Sequence, residues 1–309
     1  MRTFDPIQLG SIELFCKAAE LGSFSAAAEA LGLTPASVSR SIKRIETRLG
    51  IRLFSRTTRH VRLTSEGALY WQECKQALEQ IAAAERAITG QQKRPSGTLR
   101  ISTGSLYGNY RLLPQLQAFR AAYPHIDMEI SLSNRVVDIV EEGYDLAIRI
   151  GKPQDSRLVA HRLEDASVGV FATPDYLVRR GIPDRLEALA THDCLQFVLP
   201  TTGRAMPWIF RDPDGKDIDY IPPSRLRLLD DAYGCISWGS AGGGLFQSYH
   251  FIAAPALARG ELVEVLAAYG GRSRQFSLIY PQNRHLSARV RAFVDFMLGS
   301  LKQPASQQG

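Results

Sequence analysis

The 309-residue sequence has only four cysteines, Cys16, Cys74, Cys194 and Cys235, widely separated and never in a Cys-x-x-Cys pair. That spacing excludes a disulfide-framed scaffold and a zinc-ribbon pattern, and fits reduced thiols inside a cell. Long apolar runs are missing too: no stretch approaches the ~18–20 residues that span a bilayer. Residues 1–20 carry Asp5 and Glu13 and lack the basic, apolar, small-residue order of a secretory leader, so a cytoplasmic protein without membrane contact is expected. The six histidines are scattered, and no metal site is expected. There is no Gly-x-x-x-x-Gly-Lys-Ser/Thr, no His-Glu-x-x-His and no Gly-x-Ser-x-Gly. The run Gly239-Ser240-Ala241-Gly242-Gly243-Gly244 lacks the strand-first glycine frame of a phosphate cradle and reads as a flexible turn. Asp230 and Asp231 would serve as acid and base only if buried together, and adjacent acids more commonly start a helix. Neither catalytic residues nor a cofactor are therefore expected.

What remains is an ordinary globular composition, 45% hydrophobic and 22% charged, long enough for two or three domains. The net charge of +6 is unevenly placed. Between Leu33 and Leu63 stand Arg40, Lys43, Arg44, Arg48, Arg52, Arg56, Arg59 and Arg62 against the single acid Glu46. The rest of the chain is nearly neutral. Such a segment attracts a polyanion, although a solvated basic face has the same composition.

Local signals around that segment spell a helix–turn–helix. Asp5-Pro6 starts a helix in which Leu9, Ile12, Phe15 and Ala19 recur at helical spacing, and Gly22 ends it. Ser25 can cap a short alanine-rich helix, Ala26–Leu31, which Gly32 stops. Thr34 caps a third helix with Pro35 in its first position, and Gly50 stops that one after Leu49. The three-residue link Gly32-Leu33-Thr34 matches the motif's turn. On the third helix, Val38, Ile42, Ile45 and Leu49 form an apolar stripe, whereas Ala36, Arg40 and Lys43 lie opposite, flanked by Ser37, Ser39 and Arg44. A helix that enters a DNA groove needs small residues near its N-terminus and arginine beyond them, with hydroxyls and amides for phosphates. An ordinary amphipathic helix fits the pattern as well. Ile51–Phe54 and His60–Leu63 then alternate like short strands around a basic tip, where Arg56 and Arg59 are candidates for the minor groove.

These residues resemble the LysR-type transcriptional regulators. The likeness runs through Ser23-Phe24-Ser25-Ala26-Ala27-Ala28 with Leu31, Val38-Ser39-Arg40-Ser41-Ile42 with Ile45-Glu46, Leu49-Gly50-Ile51-Arg52-Leu53-Phe54, and Arg56-Thr57-Thr58-Arg59 to Leu63-Thr64. It is strongest over the first 65 residues. Many members place Gln-Pro ahead of the contact residues, whereas Thr34-Pro35-Ala36 here supplies no glutamine amide. By position, the resemblance implies DNA contacts at Pro35, Ala36, Ser39, Arg40 and Arg59.

From Ser65 to Thr89 a long helix is expected, in which Tyr70, Cys74, Ala77, Ile81, Ala84 and Ile88 repeat at alternating steps of four and three. Such a seam pairs with a second chain or packs on its own domain. The family likeness implies a homodimer through this helix, often a homotetramer, binding double-stranded DNA, with RNA polymerase a further partner.

Residues 91–97 read as a hinge. Beyond them Leu99–Thr103, Met128–Leu132 and Leu146–Ile150 read as strands and Leu112–Tyr123 and Val136–Glu142 as helices. A second alternating set begins with Val168–Ala172 and includes Cys194–Val198, Trp208–Phe210, Ala232–Gly239 and Leu245–Phe246. Phe276–Tyr280 and Ser287–Leu301 close the chain as the last strand and helix. That pattern argues an α/β fold with mostly parallel sheets. The expected organisation is a winged helix–turn–helix domain (1–64), a dimerisation helix (65–90), a hinge (91–97) and an α/β domain (98–302) of two lobes, 98–161 plus 271–302, and 162–270. The resemblance implies that the last is a two-lobed, periplasmic-binding-protein-like effector domain. Ligands in such sheets sit beyond strand ends. Thr103, Gly104, Ser105, Ser133, Asn134, Arg149, Gln247 and Ser248 are therefore candidates to bind a small anionic effector. Arg149 could equally form a structural ion pair, and Thr103 or Ser105 a helix cap. A binding-protein-like enzyme or small-molecule binding protein with a nucleic-acid-binding module is the alternative.

Overall fold

The structure is a computed structural model that describes residues 7–56, 61–88, 95–153, 155–282 and 286–300. The chain forms two compact units, Met1–Lys93 and Arg94–Gly309.

In the first unit the chain runs through α1 (Ile7–Leu21), α2 (Phe24–Ala30), α3 (Pro35–Leu49), β1 (Phe54–Arg56), β2 (Val61–Leu63) and α4 (Ser65–Ile88). Helix α2 starts earlier than expected. Ser23, not Ser25, is its N-cap, accepting the Ala26 amide at 3.3 Å. Thr34 caps α3 as read, its hydroxyl accepting the Ser37 amide, and Gly50 ends that helix in the left-handed conformation at φ 72°. Val38, Ile42 and Ile45 are buried on Phe15, Ala18, Ala27 and Ala28, whereas Leu49 falls outside the stripe and is 38% exposed. The expected first wing strand shrinks, because β1 begins at Phe54 and Ile51 lies exposed outside it. Phe54 is instead drawn inward, edge-on to Phe15 and Phe24.

The second unit contains β3 (Gly97–Thr103), α5 (Ser105–Tyr107), α6 (Leu116–Ala122), β4 (Ile126–Leu132), β5 (Leu146–Ile150), β6 (Leu158–Ala172), α7 (Pro174–Arg180), β7 (Leu195–Val198), β8 (Trp208–Arg211), β9 (Asp217–Tyr220), β10 (Leu226–Leu229), α8 (Tyr233–Ser240), β11 (Phe246–Tyr249), α9 (His250–Ala258), β12 (Val263–Val265), β13 (Ser273–Pro281) and α10 (Ala288–Ser300). The helix expected over Leu112–Tyr123 is interrupted. A π turn, Gly108–Leu112, and a 3₁₀ turn, Leu113–Gln115, precede α6, and Pro114 lies at that break.

No helix forms over Val136–Glu142. The β-branched run Val136-Val137 and Ile139-Val140 disfavours one. The Asp138 carboxylate accepts the amides of Val140 and Glu141, and Glu142 folds back to pair with Arg135, so a compact turn is preferred.

The principal sheet is mixed rather than mostly parallel. Its order is β11-β6-β13-β5-β3-β4, with β12 also on β6. Strand β3 pairs parallel with β4 and β5, but β13 runs antiparallel to both β5 and β6. The long strands β6 and β13 tie two lobes together. Their pairing slips at Phe276/Ser277, and beyond it β6 takes β11 and β12 as antiparallel partners. One lobe centres on Leu99, Ile101, Phe119, Leu146 and Leu278, to which α10 returns through Phe293 and Met297. The other is built around Ala172, Tyr176, Leu189, Trp208 and Leu245. The glycine turn after α8 is tightly packed, not flexible: a Cβ on Gly244 would collide with the Asp193 carbonyl and the Trp238 ring.

Candidate nucleic-acid interface and effector cavity

In the helical unit, the buried stripe of α3 leaves the opposite face to solvent. Pro35, Ala36, Arg40 and Lys43 are exposed there, and Ser39 is half-buried beside them. Ser25 on α2 is exposed as well. The Arg40 guanidinium reaches only the Ala36 carbonyl of its own helix, at 3.3 Å, so its charge is free for an external anion.

Thr34, Ser37 and Arg44 have internal duties. Thr34 and Ser37 share a hydroxyl–hydroxyl bond of 2.8 Å at the helix cap. Arg44 donates to Ser11 Oγ at 2.7 Å, tying α3 to α1. Arg56 lies in β1, and Arg59 lies outside the described residues. Glu46, the single acid of the basic segment, faces the wing. Its Oε1 accepts the amides of Leu53 and Phe54 at 2.9 and 3.2 Å, fixing the angle between α3 and β1. Composition had marked this residue only as the lone negative charge.

The heptad seam of α4 divides. Tyr70 packs on Phe15, with centroids 5.3 Å apart, and Cys74 is buried in the same core, so these two are intrachain contacts and not a surface for a second chain. Cys16 lies buried in that core as well, both thiols free. Ala77 and Ile81 are exposed; the side chains of Ala84 and Ile88 lie outside the described residues.

In the α/β unit the two lobes enclose a cavity of about 550 Å³. Of the predicted effector residues, Gly104, Asn134, Arg149, Gln247 and Ser248 line it, whereas Thr103, Ser105 and Ser133 do not. Thr103 is fully buried, and its hydroxyl reaches only the neighbouring Gly104 carbonyl. Ser105 is held by Asn134, which accepts the Ser105 amide and donates to its hydroxyl. The Ser133 hydroxyl accepts the Arg135 amide. Gln247 spends both ends of its amide on the Ile209 backbone.

Among the described residues Arg149 makes no ion pair. Its Nη2 donates to Ser102 Oγ at 2.6 Å and to the Arg135 carbonyl, and its Nη1 to the Ile148 carbonyl. Burial pushes its pKa down to about 10, because the charged form is poorly solvated. A second cation, Arg274 on β13, also lines the cavity and donates to the Pro207 carbonyl at 2.6 Å; burial lowers its pKa too. Nothing in the strand pattern distinguishes Arg274 from the other arginines. Only the lobe closing over it reveals its place.

Further bonds join the lobes at the cavity's side. Asn134 Nδ2 donates to the Asp230 carbonyl at 2.9 Å, with Asp230 held at φ 65°, and the Tyr110 hydroxyl bonds that of Tyr233 at 3.4 Å. The described residues contain no cluster of three or more His, Cys, Asp or Glu able to hold a metal, and no helix long and apolar enough to cross a membrane.

Residues 9–68 match the family described as bacterial regulatory helix-turn-helix protein, lysR family, and residues 92–302 match the LysR substrate binding domain. An HTH-type transcriptional regulator of Xanthomonas campestris pv. campestris (strain 8004) is 35% identical over 288 residues, covering 93% of this chain and 84% of that protein. The HTH-type transcriptional regulator CrgA of Neisseria meningitidis serogroup C (strain 8013) is 33% identical over 294 residues, 94% of this chain and 96% of its own. The solved structure of CrgA, a LysR-type transcriptional regulator from Neisseria meningitidis, superposes with a TM-score of 0.61 at 30% identity, covering 98% of this chain and all of that one. The full-length Vibrio cholerae virulence activator AphB does so at 0.60 and 27% identity, over 94% and 98% of the two chains.

Proposed function

This chain belongs to the LysR family of DNA-binding transcriptional regulators, and we propose that it reads duplex DNA with the exposed face of α3 and answers to a small anionic effector. Helix α3 enters the major groove. Pro35, Ala36 and Ser39 approach the bases and sugars, Arg40 contacts a base edge or phosphate, and Lys43 contacts the backbone. Ser25 lies on the neighbouring helix, and Arg56 and Arg59 of the wing reach the adjacent minor groove. Thr34, Ser37 and Arg44 hold α3 in register, their own contacts confined to phosphates.

A homodimer forms through the later part of α4, about Ala77, Ile81, Ala84 and Ile88, so that two copies of α3 meet two half-sites. Pairs of dimers give a tetramer. The division of labour follows 1–64 for reading, 65–90 for pairing, 91–97 as hinge and 98–302 for sensing. The effector sits between the lobes at Gly104, Asn134, Arg149 and Ser248, and its binding biases arrangements of the assembly that differ in half-site spacing. The protein works in the cytoplasm on bacterial promoters, where RNA polymerase is a further partner, and it catalyses no reaction.

The observation that carries this reading is the separation of faces on α3. One stripe is buried, and the opposite side presents Ala36, Arg40 and Lys43 without a carboxylate. A gel-shift titration on DNA upstream of the protein's own gene tests it. Arg40→Ala is expected to weaken binding by ~1–3 kcal/mol if Arg40 grips a guanine. Unchanged affinity and unchanged sequence preference would remove Arg40 from the interface.

A further inference from the structure

We propose that the cavity of the α/β unit takes an amphipathic organic anion: a carboxylate carried on a hydrocarbon or aromatic body, its charge among Arg149, Arg274 and Ser248. This rests on the effector reading above and narrows it to one ligand class.

The charge of the lining comes first. Arg149, Lys152 and Arg274 are on the wall, and among the described residues no Asp or Glu is. Among the described residues neither Arg149 nor Arg274 has a carboxylate within ion-pair distance; their guanidinium groups meet backbone carbonyls and one serine hydroxyl. A half-buried cation without a counter-charge is poorly solvated, and a bound anion relieves that penalty. The lowered pKa values of both arginines agree with that environment.

Unused donors point to the same place. Ser248 is 7% exposed, its hydroxyl has no hydrogen-bond partner, and it faces the cavity. The Arg149 Nε is likewise buried and unpaired. A carboxylate oxygen can accept from such groups, whereas an apolar ligand would leave them unsatisfied.

The rest of the wall settles the body of the ligand. Leu195, Phe197, Leu199, Met206, Trp208 and Phe246 come from the second lobe, and the first lobe adds further aliphatic side chains. Gln247 is committed to Ile209, and Asn134 to Ser105 and Asp230. A sugar acid or hydroxy-dicarboxylate would bury most of its hydroxyls against apolar side chains, since Lys152 and Thr201 are the few polar groups left on the wall once Arg149, Arg274 and Ser248 hold the charge. A chain or ring of apolar carbon loses nothing there, and the volume of about 550 Å³ lies within the range of ~300–1,000 Å³ usual for small-molecule sites.

The test uses the full-length protein without DNA, read by calorimetry and by the fluorescence of Trp208. The probes are octanoate, 4-phenylbutanoate, their neutral amides, succinate and gluconate. The two apolar carboxylates should bind at least tenfold more tightly than their amides, succinate or gluconate. Arg274→Gln and Arg149→Gln should each remove most of that advantage over the amides, and Ser248→Ala, which changes little volume, should reduce it with an unaltered melting temperature. Amides binding as tightly as the acids would overturn the proposal, as would charge preference unchanged in all three variants. Succinate or gluconate binding more tightly than octanoate would overturn the apolar body and leave the anionic effector standing. Failure of every probe to bind would overturn this proposal and count against the anionic reading itself.

Discussion

Residue by residue, charge in the basic segment divides into two kinds that look identical in sequence. Arg40 and Arg44 lie one helical turn apart, yet Arg40 bonds only its own helix while Arg44 crosses to Ser11 of α1. Arg44→Ala is therefore expected to lower stability by about 0.5–1.5 kcal/mol, whereas Arg40→Ala leaves it unchanged. Thermal melts of the two variants check this, and equal melting temperatures would remove the distinction. Sequence marked the caps correctly where the interaction is local, as with Thr34 and Gly50. It misplaced the cap of α2 because Ser23 and Ser25 offer the same hydroxyl two residues apart; Ser23 takes the Ala26 amide, and Phe24, at the first helical position, packs on Phe54. Arg274 was invisible for a related reason: an arginine on a strand carries no local sign of what will cover it.

Elements succeed or fail on how they meet. Helix α4 passes so close to the start of the wing that a Cβ on Gly67 would run into the Leu53 backbone. Gly67→Ala should therefore cost about 1–3 kcal/mol through overpacking, although alanine is the better helix former. Urea denaturation measures it, and a stabilised variant would contradict the close approach. Glu46 braces the same joint from α3 by accepting two amides at the wing's base. The helix expected over Val136–Glu142 shows the opposite outcome. Its spacing suited a helix, but Asp138 and the Arg135–Glu142 pair satisfy the backbone as a turn, and the β-branched residues favour that result. The seam on α4 was half legible, since Tyr70 and Cys74 follow the same period as Ala77 and Ile81 but are taken up by the core of their own unit.

At the scale of the whole molecule, the helical unit was readable because its basic residues and helix caps lie in one continuous stretch, residues 34 to 63. The cavity was not, because its wall gathers segments from Gly104 to Ile279 around the crossing strands β6 and β13. Candidates at strand ends included Gly104, Arg149 and Ser248 on that wall, but missed the apolar side of the second lobe. The cavity's charge also sets a pH dependence. With Arg149 lowered to about 10 and flanked by Tyr144, Arg135 and Glu142, it stays protonated below pH 9. Octanoate affinity should thus be flat from pH 6 to 9 and fall as pH rises through about 10, measured by calorimetry. A decline across pH 6 to 8 would mean that another group holds the anion.

The most direct test of the account is fluorescence anisotropy on its operator and on random duplex, titrated from low to near-cellular salt. A reading head built on α3 predicts affinity that falls linearly on a log–log plot as several counterions are released, with the operator preferred by on the order of 10³-fold or more throughout. Equal affinity for the two duplexes, or binding indifferent to salt, would contradict it.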